Sequence, residues 1–255
     1  MNTKNTSPIR AIVTGGASGL GLNLAENIVA LGGRVAILDR NEQKVLAVAA
    51  RLGTNSLAFP VDTTKQDRVD EVVGLVTEEF GDINLLVNCA GIVQSKRVLG
   101  LDSILDIEEF TKIIQINLIG TFCVCRAVAN LMQHNQPNAN GERGLIINTS
   151  SIAATEGQIG QSAYAASKGG VASMTLPLAR EFAKFGIRVM CIAPGVFHTP
   201  MYDAIPEKAH QDLEQRMPFP KHPGNPQQFS DLALHIVNNI MLNGEVIRLD
   251  GALRL

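Results

Sequence analysis

The chain has 255 residues, 45% of them hydrophobic and 18% charged, with a formal net charge of −2. That makeup suits a globular protein with a sizeable core and excludes disordered and collagen-like classes. Without a clustered Lys/Arg run there is no field to steer a nucleic acid or an anionic membrane surface, so neither is expected as a partner.

The opening MNTKNTSPIR has neither an apolar signal core nor an Arg-rich amphipathic presequence. No apolar run reaches the roughly 20 residues needed to span a bilayer, and a cytoplasmic protein is expected. Cys89, Cys123, Cys125 and Cys191 all fall in apolar stretches. Cys123 and Cys125, two residues apart in a helical pattern, face different ways. Buried thiols in a reducing compartment are expected, with no metal site.

Short β-branched runs alternate with longer amphipathic segments. The strands read as Ile9–Thr14, Arg34–Asp39, Ser56–Pro60, Leu85–Asn88, Gly144–Thr149, Arg188–Ala193 and Glu245–Leu249. The helical patterns between them are Gly19–Leu31, Glu42–Arg51, Lys65–Phe80, Ile107–His134, Ala163–Phe185 and Gln227–Asn239. Seven strands alternating with six helices predict a single α/β domain over residues 1–255, a Rossmann-like doubly wound parallel sheet with helices on both faces. In such sheets ligands bind outside the carboxyl ends of the strands, so residues just after each strand are the functional candidates. Gln133–Arg143 is polar and turn-rich and reads as a loop. Residues 197–227, with prolines at 200, 206, 218, 220, 223 and 226, interrupt the strand and helix rhythm where a substrate lid would sit.

Directly after the first strand the chain reads Thr14-Gly15-Gly16-Ala17-Ser18-Gly19-Leu20-Gly21 and runs into a helical pattern. A glycine-rich turn at a helix N-terminus lets backbone N–H groups approach a pyrophosphate. Asp39 ends the second strand 18 residues after Gly21, where a carboxylate can accept hydrogen bonds from both adenosine ribose hydroxyls. It would repel a 2′-phosphate, and Ser18 offers no offsetting charge, so NAD is expected over NADP, although Arg40 could accept a phosphate. Asp62, followed by Thr63, either caps the next helix or meets the adenine amino group. Asn88-Cys89-Ala90-Gly91 closes the fourth strand with small residues that let the backbone lie close to a cofactor.

Tyr164 and Lys168 are four residues apart at the start of a long helix and share one face. A nearby cation favours a phenolate. Ser151, just past the fifth strand and 13 residues before Tyr164, can hold a substrate oxygen against the phenol; Ser150 competes for that role. Gln158 and Gln161, between Ser151 and Tyr164, could hydrogen-bond a thioester carbonyl or be exposed loop amides.

At these residues the sequence resembles the short-chain dehydrogenases/reductases, with their TGxxxGxG, NAG, catalytic Ser and YxxxK pattern. The NAG element carries one extra residue here, Cys89. The resemblance implies that Ser151 polarises the substrate, that Tyr164 is the general acid/base, and that Lys168 binds the nicotinamide ribose and lowers the Tyr164 pKa. It further implies that Asn117 holds a water in a proton relay. Pro194-Gly195-Val196-Phe197-His198-Thr199 is similar to the family's PGxxxT segment, which implies cofactor contacts from Val196 and Thr199.

Within the family, VTGGASGLGL, EGQIGQSAYAASKGG and LNGEVIRLDGALR are similar to the branch that oxidises 3-hydroxyacyl-CoA to 3-oxoacyl-CoA and also takes hydroxysteroids. The segment Val93–Ile107 is shorter than in that branch, and Thr155 replaces an aromatic residue. The alternatives are a 3-oxoacyl-[acyl-carrier-protein] reductase, against which Asp39 argues, and a non-catalytic scaffold subunit, which the presence of Ser151, Tyr164 and Lys168 disfavours. The resemblance also implies a homotetramer.

Overall fold

The computed structural model describes residues 8–100, 104–205 and 207–255. Seven strands form one parallel sheet in the order β3-β2-β1-β4-β5-β6-β7. They are β1 Arg10–Thr14, β2 Arg34–Asp39, β3 Ser56–Pro60, β4 Leu85–Asn88, β5 Gly144–Thr149, β6 Ile187–Pro194 and β7 Val246–Leu249. The near-continuous apolar composition of β4 and β6 follows from their position: every residue of both is buried, because helices cover the two faces of the sheet.

One face is packed by α1 Gly19–Ala30, α2 Glu42–Leu52 and α10 Pro226–Asn238 through Leu24, Ile28, Val45, Phe229 and Ile236. The other is packed by α3 Gln66–Phe80, α5 Gly120–Met132 and α7 Ser162–Phe182 through Val69, Val73, Val124, Val128 and Leu178. From β1 the chain builds β2 and β3 to one side and then returns to place β4 on the other. The crossovers diverge there and open a crevice above the carboxyl ends of β1 and β4.

The element boundaries differ from the sequence reading in physically traceable ways. β6 is longer at both ends than Arg188–Ala193, since its pairing with β5 begins at Ile187 and its pairing with β7 reaches Pro194. α10 starts one residue early, with Pro226 at its first position and Asn225 closing a capping box with Gln228. The helix expected over Ile107–His134 ends at Met132 and is not uniform. α4 Ile107–Ile114 and α5 are joined by a π-helical stretch, Gln115–Ile119.

This composite helix, Ile107–Met132, is long and apolar enough by length and composition to cross a membrane, which the sequence reading had missed. More than half of its apolar window is buried within the protein, against α3 and the sheet. The proline-rich segment 197–227 holds two helices, α8 Pro200–Asp203 and α9 Glu207–Arg216, and is stapled at its base where Phe197 pairs with Gly224. α6, Ala153–Glu156, is a short helix between β5 and α7.

Candidate active site

A cleft of about 530 Å³ runs along the carboxyl ends of β1, β2, β4, β5 and β6. It brings together nearly every residue singled out in the sequence: Gly15, Ser18 through Gly21, Asp39, Asp62, Thr63, Cys89 through Gly91, Ser151, Gln158, Gln161, Tyr164, Lys168, Val196 and Thr199.

At one end of the cleft the glycine loop is shaped for close approach. Gly15 has φ +63°, and a Cβ there would lie 2.8 Å from the Ala90 backbone. Gly19 has φ +54°, and a Cβ would lie 3.2 Å from Thr199 Cγ2, so this loop and the segment after β6 face each other across the cleft. α1 begins after Ser18 with no side-chain cap and no acidic residue in its first turn. Its leading N–H groups and positive dipole end are therefore available to an anion.

Asp39 sits at the rim, its carboxylate accepting from Ala17 N at 3.3 Å and Asn41 N at 3.0 Å. Asp62 does not cap α3, whose N-cap is Lys65. It instead closes a turn by accepting from Thr64 N at 3.0 Å and Thr64 Oγ1 at 2.7 Å. Burial alone would raise its carboxyl, but those two bonds with Lys65 and Arg40 nearby hold it below the usual value. These features fit a dinucleotide: anion-binding N–H groups beside a carboxylate placed for ribose.

At the other end the two competing serines separate. Ser150 is 2% exposed and donates to the Lys168 carbonyl at 2.7 Å, tying β5 to α7. Ser151 lines the cleft, accepts from Ala153 N at 3.1 Å and is the side chain that favours the ionised Tyr164 phenol. Tyr164 and Lys168 are both buried on α7. Burial pushes the Lys168 ammonium down to about 8, against the opposing influence of Cys191 and Cys89.

The Tyr164 phenol departs from the sequence expectation. Burial raises its pKa, and the group that pulls it back is Ser151, not Lys168. The physical reason is geometric: Lys168 Nζ donates to the Thr149 carbonyl at 2.8 Å and stands 5.9 Å from the centre of the Tyr164 ring.

Asn117 lies in the π-helical stretch and is fully buried. Its Oδ1 accepts from Ile92 N at 2.8 Å, and its Nδ2 donates to Ile92 O at 2.9 Å and to Ser167 Oγ at 3.0 Å. With both amide protons spent, the side chain braces the loop after β4 against α7. That loop passes over the reacting end, since a Cβ on Gly91 would meet Asn117 Oδ1 at 3.2 Å and Lys168 Nζ at 3.5 Å.

Gln161 accepts from Gln158 N at 3.0 Å and shapes the turn before α7. Cys89 is desolvated and pushed up to about 11, so no thiolate forms there near neutrality. Three features of the site went unread in the sequence. Thr149 contributes a main-chain carbonyl, which leaves no side-chain signal. Ser167 lies between Tyr164 and Lys168 but points to Asn117, and Leu255 reaches the cleft only through the fold.

The sequence profile of the short chain dehydrogenases matches residues 10–210. Human 3-hydroxyacyl-CoA dehydrogenase type-2 is 46% identical over 247 residues, covering 96% of this chain and 95% of that protein. The Drosophila melanogaster protein of the same name is 44% identical, covering 96% of this chain and 97% of its own length. A crystal structure of 3-hydroxyacyl-CoA dehydrogenase type-2 from Mycobacterium avium superposes with a TM-score of 0.93 at 39% identity, over 99% of this chain and 98% of that one. Profile, relatives, sheet order and cleft agree, and the chain belongs to the short-chain dehydrogenase family of nicotinamide-dependent oxidoreductases.

Proposed function

We propose that the protein oxidises the hydroxyl of a 3-hydroxyacyl-CoA to the 3-oxoacyl-CoA with NAD as its cofactor. The observation that carries this reading is the convergence of Ser151, Tyr164 and Lys168 at one end of a cleft whose other end presents Asp39 and an uncapped helix N-terminus. The names of the relatives supply the substrate class.

NAD, when bound, would supply the acceptor for the hydride that leaves the substrate carbon. The N–H groups at the start of α1 would hold the pyrophosphate, Asp39 would accept from the ribose hydroxyls and disfavour a 2′-phosphate, and Val196 and Thr199 would flank the nicotinamide end. Ser151 hydrogen-bonds the substrate oxygen and keeps it against the Tyr164 phenol. Tyr164 in its phenolate form takes the hydroxyl proton, with Ser151 as the group that favours the phenolate, and Lys168 is the group for the nicotinamide ribose. Because burial raises the Tyr164 pKa, oxidation gains rate as pH rises and the reverse reduction, which needs the phenol, loses it. Asn117 acts through the Ile92 loop and Ser167.

Ile152, Val196, Met201 and Ile205 give the cleft an apolar side suited to an acyl chain, and residues 197–227 form its lid. Gln158 and Gln161 line the cleft, and their amide N–H groups are the donors we assign to a thioester carbonyl. Exposed Ile119, Phe122 and Leu176 on α5, α7 and the π turn support association into a homotetramer. Four unpaired thiols suit a reducing, cytoplasmic setting. The Asp39 carboxylate weighs against the carrier-protein reductase reading, and the intact reacting trio against a purely scaffolding one.

The test is turnover followed by the absorbance of reduced nicotinamide, with NAD and NADP, across 3-hydroxyacyl-CoAs, hydroxysteroids and simple secondary alcohols. Turnover of 3-hydroxyacyl-CoA with NAD is expected. Turnover of simple alcohols alone overturns the substrate, and a preference for NADP overturns the role of Asp39.

A further inference from the structure

After β7 the chain folds back instead of running on. Gly251 and Ala252 take the left-handed backbone at φ +58° and +64°, a conformation an alanine adopts only when its surroundings hold it. Here Asp250 does so, its Oδ1 accepting from Ala252 N at 2.9 Å.

Around that turn lies an ion cluster. Arg248 pairs with Glu156 at 2.9 Å and with Asp250 at 2.7 Å, and its Nη2 donates to the Leu253 carbonyl at 3.2 Å. Arg254 reaches Asp250 at 3.2 Å, and Leu255 N donates to Glu156 Oε2 at 3.2 Å. Glu156 ends α6, the helix that begins two residues after Ser151. The cluster therefore ties residues 250–255 to the segment that carries the reacting serine.

The apolar side of this segment faces the cleft. Leu253 is fully buried and packs with Ile152, the residue after Ser151, and with Met217 at the base of the lid. Val196 and Leu255 join that cluster, and Leu255, Ile152 and Val196 all line the cleft. Arg216, the last residue of α9, donates to the Arg254 carbonyl at 3.2 Å, so lid base and tail meet at the same place.

We propose that Leu255, fixed by the Arg248, Glu156 and Asp250 cluster, is the end wall of the substrate side of the cleft and sets the length of apolar chain the enzyme accepts. The proposal rests on the reading that this cleft holds an acyl group. Glu156 is then a positioning residue, acting on substrate only through Leu255.

The experiment measures kcat and KM for short, medium and long 3-hydroxyacyl-CoAs, and in parallel for secondary alcohols of graded length, with the wild type, Leu255→Ala, Leu255→Trp, Leu255→Met and Glu156→Gln. Leu255→Ala is expected to raise the long-to-short ratio of kcat/KM by about fourfold for each further methylene seated. Leu255→Trp should lower that ratio, Leu255→Met should keep it, and Glu156→Gln should flatten the preference chiefly through KM. A uniform change across all lengths, or a shift in the same direction for Leu255→Ala and Leu255→Trp, overturns the wall. An unchanged length preference in Glu156→Gln overturns the clamp. If the wild type turns over alcohols but no acyl-CoA, the substrate reading falls and the alcohol series alone decides the wall by the same ratio.

Discussion

The two ends of the sheet use buried polar groups in opposite ways. At the amino ends of the strands the buried Arg188 and the half-buried Arg10 are both matched. Arg188, on β6, is 5% exposed, pairs with Glu142, and donates to the carbonyls of Ile236, Asn239 and Leu242 that close the end of α10. Arg10 forks onto Asp82 beside an Asn84 that binds the backbone of Arg10 and Pro8. At the carboxyl ends the matching is incomplete. Lys168 and Tyr164 are desolvated with shifted pKa values, and Asn148 Nδ2 at the end of β5 is, among the described residues, a buried side-chain nitrogen without an acceptor. Groups already satisfied inside the protein have nothing left to offer a substrate; those held dry and under-matched do.

That contrast predicts that lesions at the two ends separate activity from stability. The largest effect is expected at Tyr164→Phe, which removes the proton carrier and should lower kcat by about 10²–10⁴-fold with little change in unfolding temperature. Full activity in that variant would end the assignment of Tyr164. Next comes Arg188→Met, which strands Glu142 and the carbonyls at the end of α10. Breaking a buried pair from one side costs about 3–5 kcal/mol, to be read from urea unfolding, while the KM of the folded enzyme should stay close to wild type. A loss of activity without a loss of stability would erase the distinction between the two ends.

The same contrast explains what could be read in the sequence. The strands, the helix faces and the order of the cofactor and reacting segments were legible because they rest on local periodicity and on residues that follow strand ends. Ser150 and Ser151 were not separable, since adjacent side chains at a strand end differ only by which way the chain exits. The π stretch around Asn117 left no composition signal, because its cause is the tertiary bonding of that amide to Ile92 and Ser167. Arg188 read as an ordinary strand residue, and its role depends on three carbonyls about fifty residues further on. The influence of Lys168 on Tyr164 was overestimated, because spacing gives proximity along a helix but not where the ammonium points.

Smaller effects sharpen the comparison at the cofactor end. Asp39→Asn removes the charge while keeping the acceptor oxygen. It should narrow the ratio of NAD to NADP efficiency by about tenfold, the worth of roughly 1.4 kcal/mol of lost repulsion, with kcat for NAD changed less. An unchanged ratio in steady-state kinetics with both cofactors would remove Asp39 as the discriminating group.

The most gradual effect is the pH dependence of stability at Lys168. Its folded-state pKa, about 8, lies below the unperturbed 10.5, so between those values the unfolded chain binds the proton that the folded protein has released. Stability therefore rises with pH across that window, by at most about 1.4 kcal/mol per pH unit for one proton, and the cost of burying the charge is fully present below about 8. Tyr164 acts in the opposite sense: its raised pKa makes the folded protein keep a proton that the unfolded chain loses above about 10, so stability falls there. Comparing wild type with Lys168→Met cancels the other titrating groups, and the wild type should gain on the variant from pH 8 upward and level off below it. A difference that stays flat through this range would mean that the ammonium is fully matched, like the guanidiniums at the amino ends of the strands, and the contrast between the two ends would fail at its central residue.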